Sequence, residues 1–281
     1  MITLQEVLKK STDYLAQKEV PNARRQAEEI ISYCLKRPRI DLYIYFDQPI
    51  QEEELLKIRK NLSRRAKREP LQYIEGEVEF YSAKFKVGPS VLIPRQETEL
   101  LVDQIASILK QEPLEGKILW DLGTGSGCIG ISLKKMFPEL RVILSDLSEK
   151  ALQQAKENAV FNDVEVECYL GDLFEAFEGQ VDYLVSNPPY VSEAEYQELE
   201  PEVNCYEPKM SFVPGPTGLE IYERLEKDLI KILKKPGKAW FEIGSQQKEA
   251  LQKIFEQSKN FKIQFEKDYA GHNRFFLLEL E

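Results

Sequence analysis

The chain has 281 residues, enough for two domains and a sizeable buried core. Its formal net charge of −10 argues against broad binding to a phosphate backbone, which needs a positive surface. The sequence contains no run of about 18 apolar residues and no apolar segment near its start, so it predicts neither a membrane span nor a secretory signal.

Residues 1–70 are predicted to form a small helical unit. Apolar residues recur at helical spacing in two segments: Leu4, Val7, Leu8, Tyr14 and Leu15, then Ala27, Ile30, Ile31, Cys34 and Leu35. A third long segment, 52–68, carries a run of basic residues: Lys57, Arg59, Lys60, Arg64, Arg65, Lys67 and Arg68. A solvated helix with basic residues toward its C-terminal end accounts for this run better than a partner-docking surface does.

A linker and an α/β domain are predicted to follow the helical unit. Residues 76–88 alternate between apolar and polar side chains and have a glycine at each end, which indicates a β-hairpin within a 71–95 linker. The strand and helix patterns that alternate from residue 96 to residue 281 indicate a parallel, Rossmann-like sheet. Two last strands, 261–265 and 274–280, come without a helix between them.

A glycine-rich turn follows the first strand of this domain. The strand, 117–122, leads into Gly123-Thr124-Gly125-Ser126-Gly127, and a helix from Cys128 to about Phe137 comes next. Glycines permit positive φ and allow the backbone to approach a ligand closely. Gly125, Gly127 and Gly130 also satisfy G-x-G-x-x-G, so a dinucleotide site has to be considered. Asp121, however, suits a cationic or hydroxyl-rich ligand better than a pyrophosphate.

Two further strands each end in an aspartate. The strand 141–146 ends in Asp146, whose carboxylate is placed to accept hydrogen bonds from both hydroxyls of a ribose, in NAD or in S-adenosylmethionine alike. The strand 164–170 precedes Asp172, which is suited to accept a hydrogen bond from an adenine amine while Leu173 or Phe174 packs on the ring.

The tetrapeptide Asn187-Pro188-Pro189-Tyr190 ends the apolar strand 181–186. Asn187 Oδ1 and the Pro188 carbonyl can each accept one N–H of a planar –NH2 group, and the Tyr190 ring can lie against a flat substrate. A bare Asn-Pro dipeptide is often only a strand-ending turn. The full tetrapeptide is more specific, because the glycine loop, both aspartates and Asn187 follow four successive parallel strands and should share one sheet edge.

This order of motifs resembles the class I S-adenosylmethionine-dependent methyltransferases that modify planar amino or amide nitrogens. Residues 70–76, Phe80-Tyr81 and the string 91–99 are similar to the peptide-chain-release-factor glutamine methyltransferases, the HemK or PrmC family. Glu207-Pro208 and Gly218-Leu219-x-x-Tyr222 also fit, and the resemblance covers essentially the whole chain. It implies that the antiparallel strand typical of this fold lies at the two last strands. The run 212–218 departs from the family, which more often has a Gly-Gly and an Asp-Gly there.

The resemblance implies S-adenosylmethionine as cofactor, S-adenosylhomocysteine as product, and release factors as the protein substrate. It implies these cofactor contacts: Gly123, Thr124, Gly125, Ser126, Gly127, Asp146, Asp172, Leu173 and Asn187. It implies these substrate contacts, of which the first two would be catalytic: Asn187, Pro188, Pro189 and Tyr190. Residues 1–70 would recognise the substrate. Arg95 and Glu97 would lie near the mouth of the site, although a helix N-terminus with acids in its first turn explains them equally well.

Four scattered cysteines without a C-x-x-C pair argue against disulfides and zinc and favour a cytoplasmic location: Cys34, Cys128, Cys168 and Cys205. We expect no metal, no catalytic base and no direct binding of nucleic acid. Three alternatives stay open. They are a methyltransferase acting on adenine N6 or guanine N2, an NAD-dependent dehydrogenase, and a cofactor-binding module without catalysis.

Overall fold

Amphipathic helices build the N-terminal unit of the structure, a computed structural model that describes residues 2–256 and 260–280. The unit comprises residues 2–76 together with 200–206. Its helices within 2–76 are α1 Leu4–Gln17, α2 Ala23–Leu35, α3 Asp41–Ile44, α4 Glu52–Arg65 and α5 Leu71–Glu75. The apolar faces predicted from helical spacing meet in one core, which includes Leu4, Val7, Ala27, Ile30 and Ile58. The predicted N-terminal helical domain is therefore confirmed.

Three arginines at the end of the basic run, Arg64, Arg65 and Arg68, are less exposed to solvent than expected. Arg65 is buried, and its guanidinium binds the Glu202 carboxylate at 2.7 Å. Arg68 binds the same carboxylate through two nitrogens, at 2.6 and 2.7 Å, and Arg64 pairs with Glu69. The two pairs with Glu202 tie residues 200–206 to the helical unit, and the sequence gives no sign of them because the partners lie more than 130 positions apart.

The predicted hairpin is present and lies in the second unit, which comprises residues 77–199 and 207–280. Its strands, β1 Glu77–Phe80 and β2 Ala83–Lys86, pair antiparallel. Tyr81 and Ser82 form the turn with φ of +47° and +58°, the left-handed pair that a two-residue hairpin turn requires. Phe80 and Phe85 are buried in the core of this unit. The hairpin is thus part of the α/β unit.

A mixed sheet forms the centre of the second unit. Its strands are β3 Ile118–Leu122, β4 Arg141–Asp146, β5 Glu167–Leu170, β6 Val181–Ser186, β7 Leu233–Glu242, β8 Phe261–Lys267 and β9 Asn273–Leu280. The order across the sheet is β5-β4-β3-β6-β7-β9-β8, and β9 pairs antiparallel with β7 and β8. The predicted antiparallel strand is confirmed. β5 starts three residues later than predicted, after a turn at Asp163 with φ of +56°.

Helices complete the chain and, with the central sheet, make the predicted α/β architecture. They are α6 Gln96–Leu109, α7 Cys128–Met136, α8 Glu149–Phe161, α9 Glu193–Gln197, α10 Pro201–Asn204, α11 Glu220–Ile232 and α12 Lys248–Glu256, of which α10 belongs to the N-terminal unit. Apolar cores lie on both sides of the sheet, around Leu119 and Leu144 on one and around Trp120 and Ile143 on the other. Because β3, β4, β5 and β6 run parallel as neighbours, their C-terminal ends share one edge, as predicted.

Candidate active site

The glycine loop after β3 turns tightly into α7. Gly123, Gly125 and Gly127 have φ of +68°, +55° and +83°, a region that other residues rarely adopt. A Cβ on Gly127 would also lie 2.6 Å from the Ile131 side chain. Around Gly125 nothing lies within 4 Å of a built Cβ, so its backbone is open to an approaching ligand.

Asp121 holds this loop in place through hydrogen bonds to its side chain. Its side chain is buried, and Oδ2 accepts hydrogen bonds from Thr124 Oγ1 at 2.6 Å and from the Gly130 N–H at 2.9 Å. Burial raises the pKa of this carboxyl group to about 6. Asp121 does not belong to the residues that line the adjacent cavity, and its observed contacts are with the loop itself.

Gly130 serves helix packing. A Cβ at this position would lie 2.4 Å from Leu144 and 3.0 Å from Asp121 Oδ2. Its N–H already donates to Asp121, so it is not available to a pyrophosphate. The third glycine therefore serves close helix–strand packing, a role that it also has in dinucleotide-binding folds, so it does not distinguish NAD from S-adenosylmethionine.

Asp146 faces the cavity at the end of β4. Its Oδ2 accepts from the Gly125 N–H at 2.9 Å, and its Oδ1 accepts from the Ser148 N–H at 2.8 Å. Burial raises the pKa of Asp146, while these two backbone donors act in the opposite direction. Each oxygen keeps a further lone pair, so the carboxylate is fixed in place and still able to accept hydrogen bonds from a ligand.

The turn after β5 also reaches the cavity. Asp172 Oδ2 accepts from Arg224 Nη2 at 2.7 Å, and both side chains are partly exposed. Leu173 has φ of +48°, a left-handed conformation that is strained for a branched side chain. Such strain concentrates at ligand sites. Arg224, which comes from α11, was not foreseen from the sequence.

The Asn-Pro-Pro-Tyr segment is held by hydrogen bonds from behind. Asn187 Nδ2 donates to Thr98 Oγ1 at 3.3 Å, and Thr98 Oγ1 donates to Glu242 Oε2 at 2.7 Å. The Tyr190 hydroxyl group donates to Glu242 Oε1 at 3.1 Å, and burial raises the pKa of Tyr190. We predicted Tyr190 at the face of a flat substrate, but its hydroxyl group is directed to this buried carboxylate.

A cavity of about 310 Å³ joins these parts. The sequence-predicted residues that line it are Gly123, Thr124, Gly125, Ser126, Asp146, Asp172, Leu173, Asn187 and Pro189. Three predicted residues do not line it. Gly127 caps α7, Pro188 is buried, and Tyr190 packs against the apolar core around Trp120 and Tyr222. Eight of the nine predicted cofactor contacts therefore line one cavity, and Gly127 is the exception.

Comparison with known proteins identifies the family. A model described as the methyltransferase small domain matches residues 96–200, and one described as the PrmC N-terminal domain matches residues 6–76. The chain is 40% identical, over 98% of its length and 94% of the relative, to the release factor glutamine methyltransferase of Chlamydia trachomatis serovar D. It is also 40% identical to that of Geobacter sulfurreducens, over 90% of this chain and 88% of the relative.

The chain belongs to the release factor glutamine methyltransferase family. Its α/β unit has the class I methyltransferase fold, as predicted. Among solved structures, the T. thermophilus 16S rRNA N2 G1207 methyltransferase (RsmC), in complex with AdoMet and guanosine, matches with a TM-score of 0.52. That match covers 73% of this chain and 50% of the other at 16% identity, so it shows the fold alone.

In this family member, Glu207 fixes the segment that precedes α6. Its buried carboxylate accepts from the Ile93 N–H at 2.9 Å and from the Arg95 guanidinium. Arg95 lines the cavity and immediately precedes α6, whereas Glu97 lies in the first turn of that helix. Arg95 therefore lies both at the cavity and at the N-terminus of a helix. Its position in the first turn of that helix is enough to explain Glu97.

The divergent run 212–218 contributes Val213 and Pro214 to the cavity lining. It ends in a turn in which the Thr217 N–H and hydroxyl group both donate to Glu220 at 2.8 Å. A Cβ on Gly218, which has φ of +80°, would lie 2.4 Å from the Tyr190 carbonyl oxygen. The run thus closes against the Asn-Pro-Pro-Tyr segment despite its departure from the family pattern.

The remaining observations concern the cysteines, possible metal ligands and membrane-spanning helices. All four cysteines are free thiols, as expected from their spacing. Within residues 2–256 and 260–280, no group of three or more His, Cys, Asp or Glu side chains comes together as metal ligands. In the same part of the chain, no helix has both the length and the apolar character needed to cross a bilayer.

Proposed function

We propose that this protein transfers a methyl group from S-adenosylmethionine to the side-chain amide nitrogen (N5) of a glutamine in a peptide chain release factor, and that it releases S-adenosylhomocysteine. The observation that carries this proposal is one cavity lined by the glycine loop, Asp146 and Asn187 in a member of the release factor glutamine methyltransferase family. No residue of the set needs a metal, and the spacing of the cysteines favours a cytoplasmic enzyme.

The residues of the cavity fit the proposed cofactor. The open backbone at Gly125 suits the close approach of its amino-acid end, and the fixed Asp146 carboxylate suits the two ribose hydroxyls. Asp172 and Leu173 line the same cavity and suit the adenine. Because Asp172 already pairs with Arg224, an adenine amine would share or displace this exposed ion pair. An exposed pair of this kind contributes little, so its displacement costs little.

The proposed chemistry depends on orienting a weak nucleophile. The cofactor supplies the methyl group on a sulfonium centre. An amide nitrogen attacks poorly because its lone pair is conjugated. Asn187 Oδ1 and the Pro188 carbonyl would each accept one amide N–H, and both bonds strengthen as the nitrogen gains positive charge in the transition state. The nitrogen loses one proton to solvent, and this proton becomes acidic only as the new bond forms, so we assign no strong general base.

Asp146→Ala should weaken binding of S-adenosylhomocysteine by about 1.5–3 kcal/mol, the scale of hydrogen bonds to a charged group. Isothermal calorimetry measures the effect, and Asp13→Ala, an exposed acid in α1, is the matched control. Unchanged affinity in Asp146→Ala would remove the ribose role from this residue. Tight binding of NAD without any binding of S-adenosylhomocysteine would reject the whole proposal.

We also propose that the helical unit recognises the release factor, that the hairpin segment 71–95 links it to the rest of the chain, and that residues 96–281 bind the cofactor. Support comes from the match of residues 6–76 to the PrmC N-terminal domain and from the separate core of this unit.

Deleting residues 1–76 should raise KM for the release factor or abolish turnover, while affinity for S-adenosylhomocysteine largely survives. The deletion also needs Glu202→Gln, because Glu202 would otherwise lose both arginine partners. Steady-state kinetics and calorimetry on the same preparation provide the comparison. An unchanged KM would show that this unit does not contact the substrate.

Incubation with methyl-labelled S-adenosylmethionine and separate pools of release factor, DNA and RNA tests the reaction itself. We expect label on a release-factor glutamine. Label on adenine or guanine instead, with unlabelled release factor, would assign the protein to the nucleic-acid methyltransferases.

A further inference from the structure

Thr98 lies between the Asn187 side chain and a buried carboxylate. Asn187 Nδ2 is 3.3 Å from Thr98 Oγ1, which is 2.7 Å from Glu242 Oε2. Thr98 and Glu242 are each 2% exposed. Thr98 comes from the first turn of α6 and Glu242 from the end of β7, so two separate elements hold the side chain of Asn187 from behind.

The direction of this chain of hydrogen bonds follows from the number of hydrogens. The Thr98 hydroxyl group has one hydrogen, which it donates to the Glu242 carboxylate, so toward Asn187 it can only accept. The Asn187 amide group must therefore turn its NH2 toward Thr98. Its Oδ1 is then left for the opposite side, where Asn187 lines the cavity.

Glu242 accepts two hydroxyl hydrogens at a buried position. Burial raises the pKa of Glu242, and hydrogen bonds from Thr98 and Tyr190 and the positive charge of Arg274 offset only part of that rise. Each of its two oxygens accepts one hydroxyl hydrogen, from Thr98 on one side and from Tyr190 on the other. This double acceptance is the pattern of the charged form.

We propose that Thr98, anchored by Glu242, is a positioning residue for methyl transfer: it fixes the Asn187 amide so that Oδ1, not the NH2 group, meets the substrate amide. The inference rests on the proposed function for its consequence in catalysis. It also explains the buried Tyr190 hydroxyl group, which helps to hold Glu242 in place. A flipped Asn187 would present a donor to an N–H and could not grip the substrate.

Thr98→Val keeps the shape of the side chain and removes the acceptor. We expect kcat to fall by about tenfold or more, while KM for the release factor and Kd for S-adenosylhomocysteine change by less than about threefold. Thr98→Ser, which keeps the hydroxyl group, should restore most of the rate. Ser132→Ala is the control for loss of a buried hydroxyl group, because Ser132 Oγ has no hydrogen-bond partner among the described residues.

A double-mutant cycle separates positioning from general damage. If Thr98 acts through Asn187, Thr98→Val should cost nothing further in an Asn187→Ala background. A rate in Thr98→Val within about twofold of the wild type would overturn the inference, and so would an equal further loss in the double mutant.

The orientation can also be measured without the acceptor. In 15N-labelled protein, the Asn187 side-chain amide pair is assigned by its loss in Asn187→Ala. In Thr98→Val this pair should shift and exchange faster with water, and an unchanged pair would refute the positioning role. A wild type that leaves release factors unlabelled would reject the proposed function, yet this measurement would still decide the orientation of Asn187.

Discussion

Asn187→Ala is expected to lower kcat for methyl transfer by about 10²-fold or more, the effect of losing one preorganised transition-state hydrogen bond. Asn187 lines the cavity at the end of β6, and its Nδ2 is bound by Thr98. Its Oδ1 is the free acceptor in this arrangement. Affinity for S-adenosylhomocysteine should fall much less, because the glycine loop and Asp146 remain. Steady-state kinetics with calorimetry on the same preparation measures both.

Asn187→Asp is the matched comparison for this variant. The aspartate keeps an acceptor and adds charge next to a cationic sulfonium, so the cofactor should bind well. It has no NH2 group that could donate a hydrogen bond to Thr98. The carboxylate oxygen that should accept from the substrate therefore loses its fixed direction, and kcat should still fall. Near-normal turnover in Asn187→Ala would mean that the Asn-Pro-Pro-Tyr segment is only a strand-ending turn.

The strand ends were predictable from the sequence because they obey a geometric rule. Gly123, Asp146, Asp172 and Asn187 each follow an apolar strand, and neighbouring parallel strands end at one edge. No knowledge of side-chain packing is needed for that conclusion. The antiparallel strand near the C-terminus was predicted from the family resemblance, and the lack of a helix between the last two strands agrees with their antiparallel pairing.

Side-chain contacts between residues far apart in the sequence could not be predicted in the same way. Thr98 meets Asn187 across 89 positions and Glu242 across 144 positions, and periodicity contains no information about such pairs. Arg224 reaches Asp172 across 52 positions from a helix whose pattern shows only amphipathicity. Glu242 had one usable signal, since it is an acid at the end of an apolar strand, and the rule applied to β3 through β6 extends to β7.

Tyr190 shows the limit of arguing from residue types. An aromatic ring after two prolines suits stacking on a flat substrate, and the sequence supports that role. In the structure the hydroxyl group binds Glu242, while the Tyr190 carbonyl accepts from Gln247 at 2.9 Å. A polar tip in a buried place needs a partner, and the nearest partner decided where the ring points.

Replacing the acceptor glutamine of the release factor by glutamate should abolish methylation. A carboxylate has no N–H pair, so Asn187 Oδ1 and the Pro188 carbonyl would meet two acceptor oxygens and repel them. The same two groups that hold an amide would therefore exclude the acid, and a site built around hydrogen bonds discriminates strongly when they are lost.

Mass spectrometry of the release factor after incubation with labelled cofactor measures this effect, and the unaltered release factor is the control in the same reaction. A second control replaces a different exposed glutamine of the release factor by glutamate and should leave labelling intact. Equal labelling of the acceptor variant would place the methyl group on another residue. In that case the two acceptors, Asn187 Oδ1 and the Pro188 carbonyl, would have to bind a different amide, and the cavity would still hold the cofactor through Asp146.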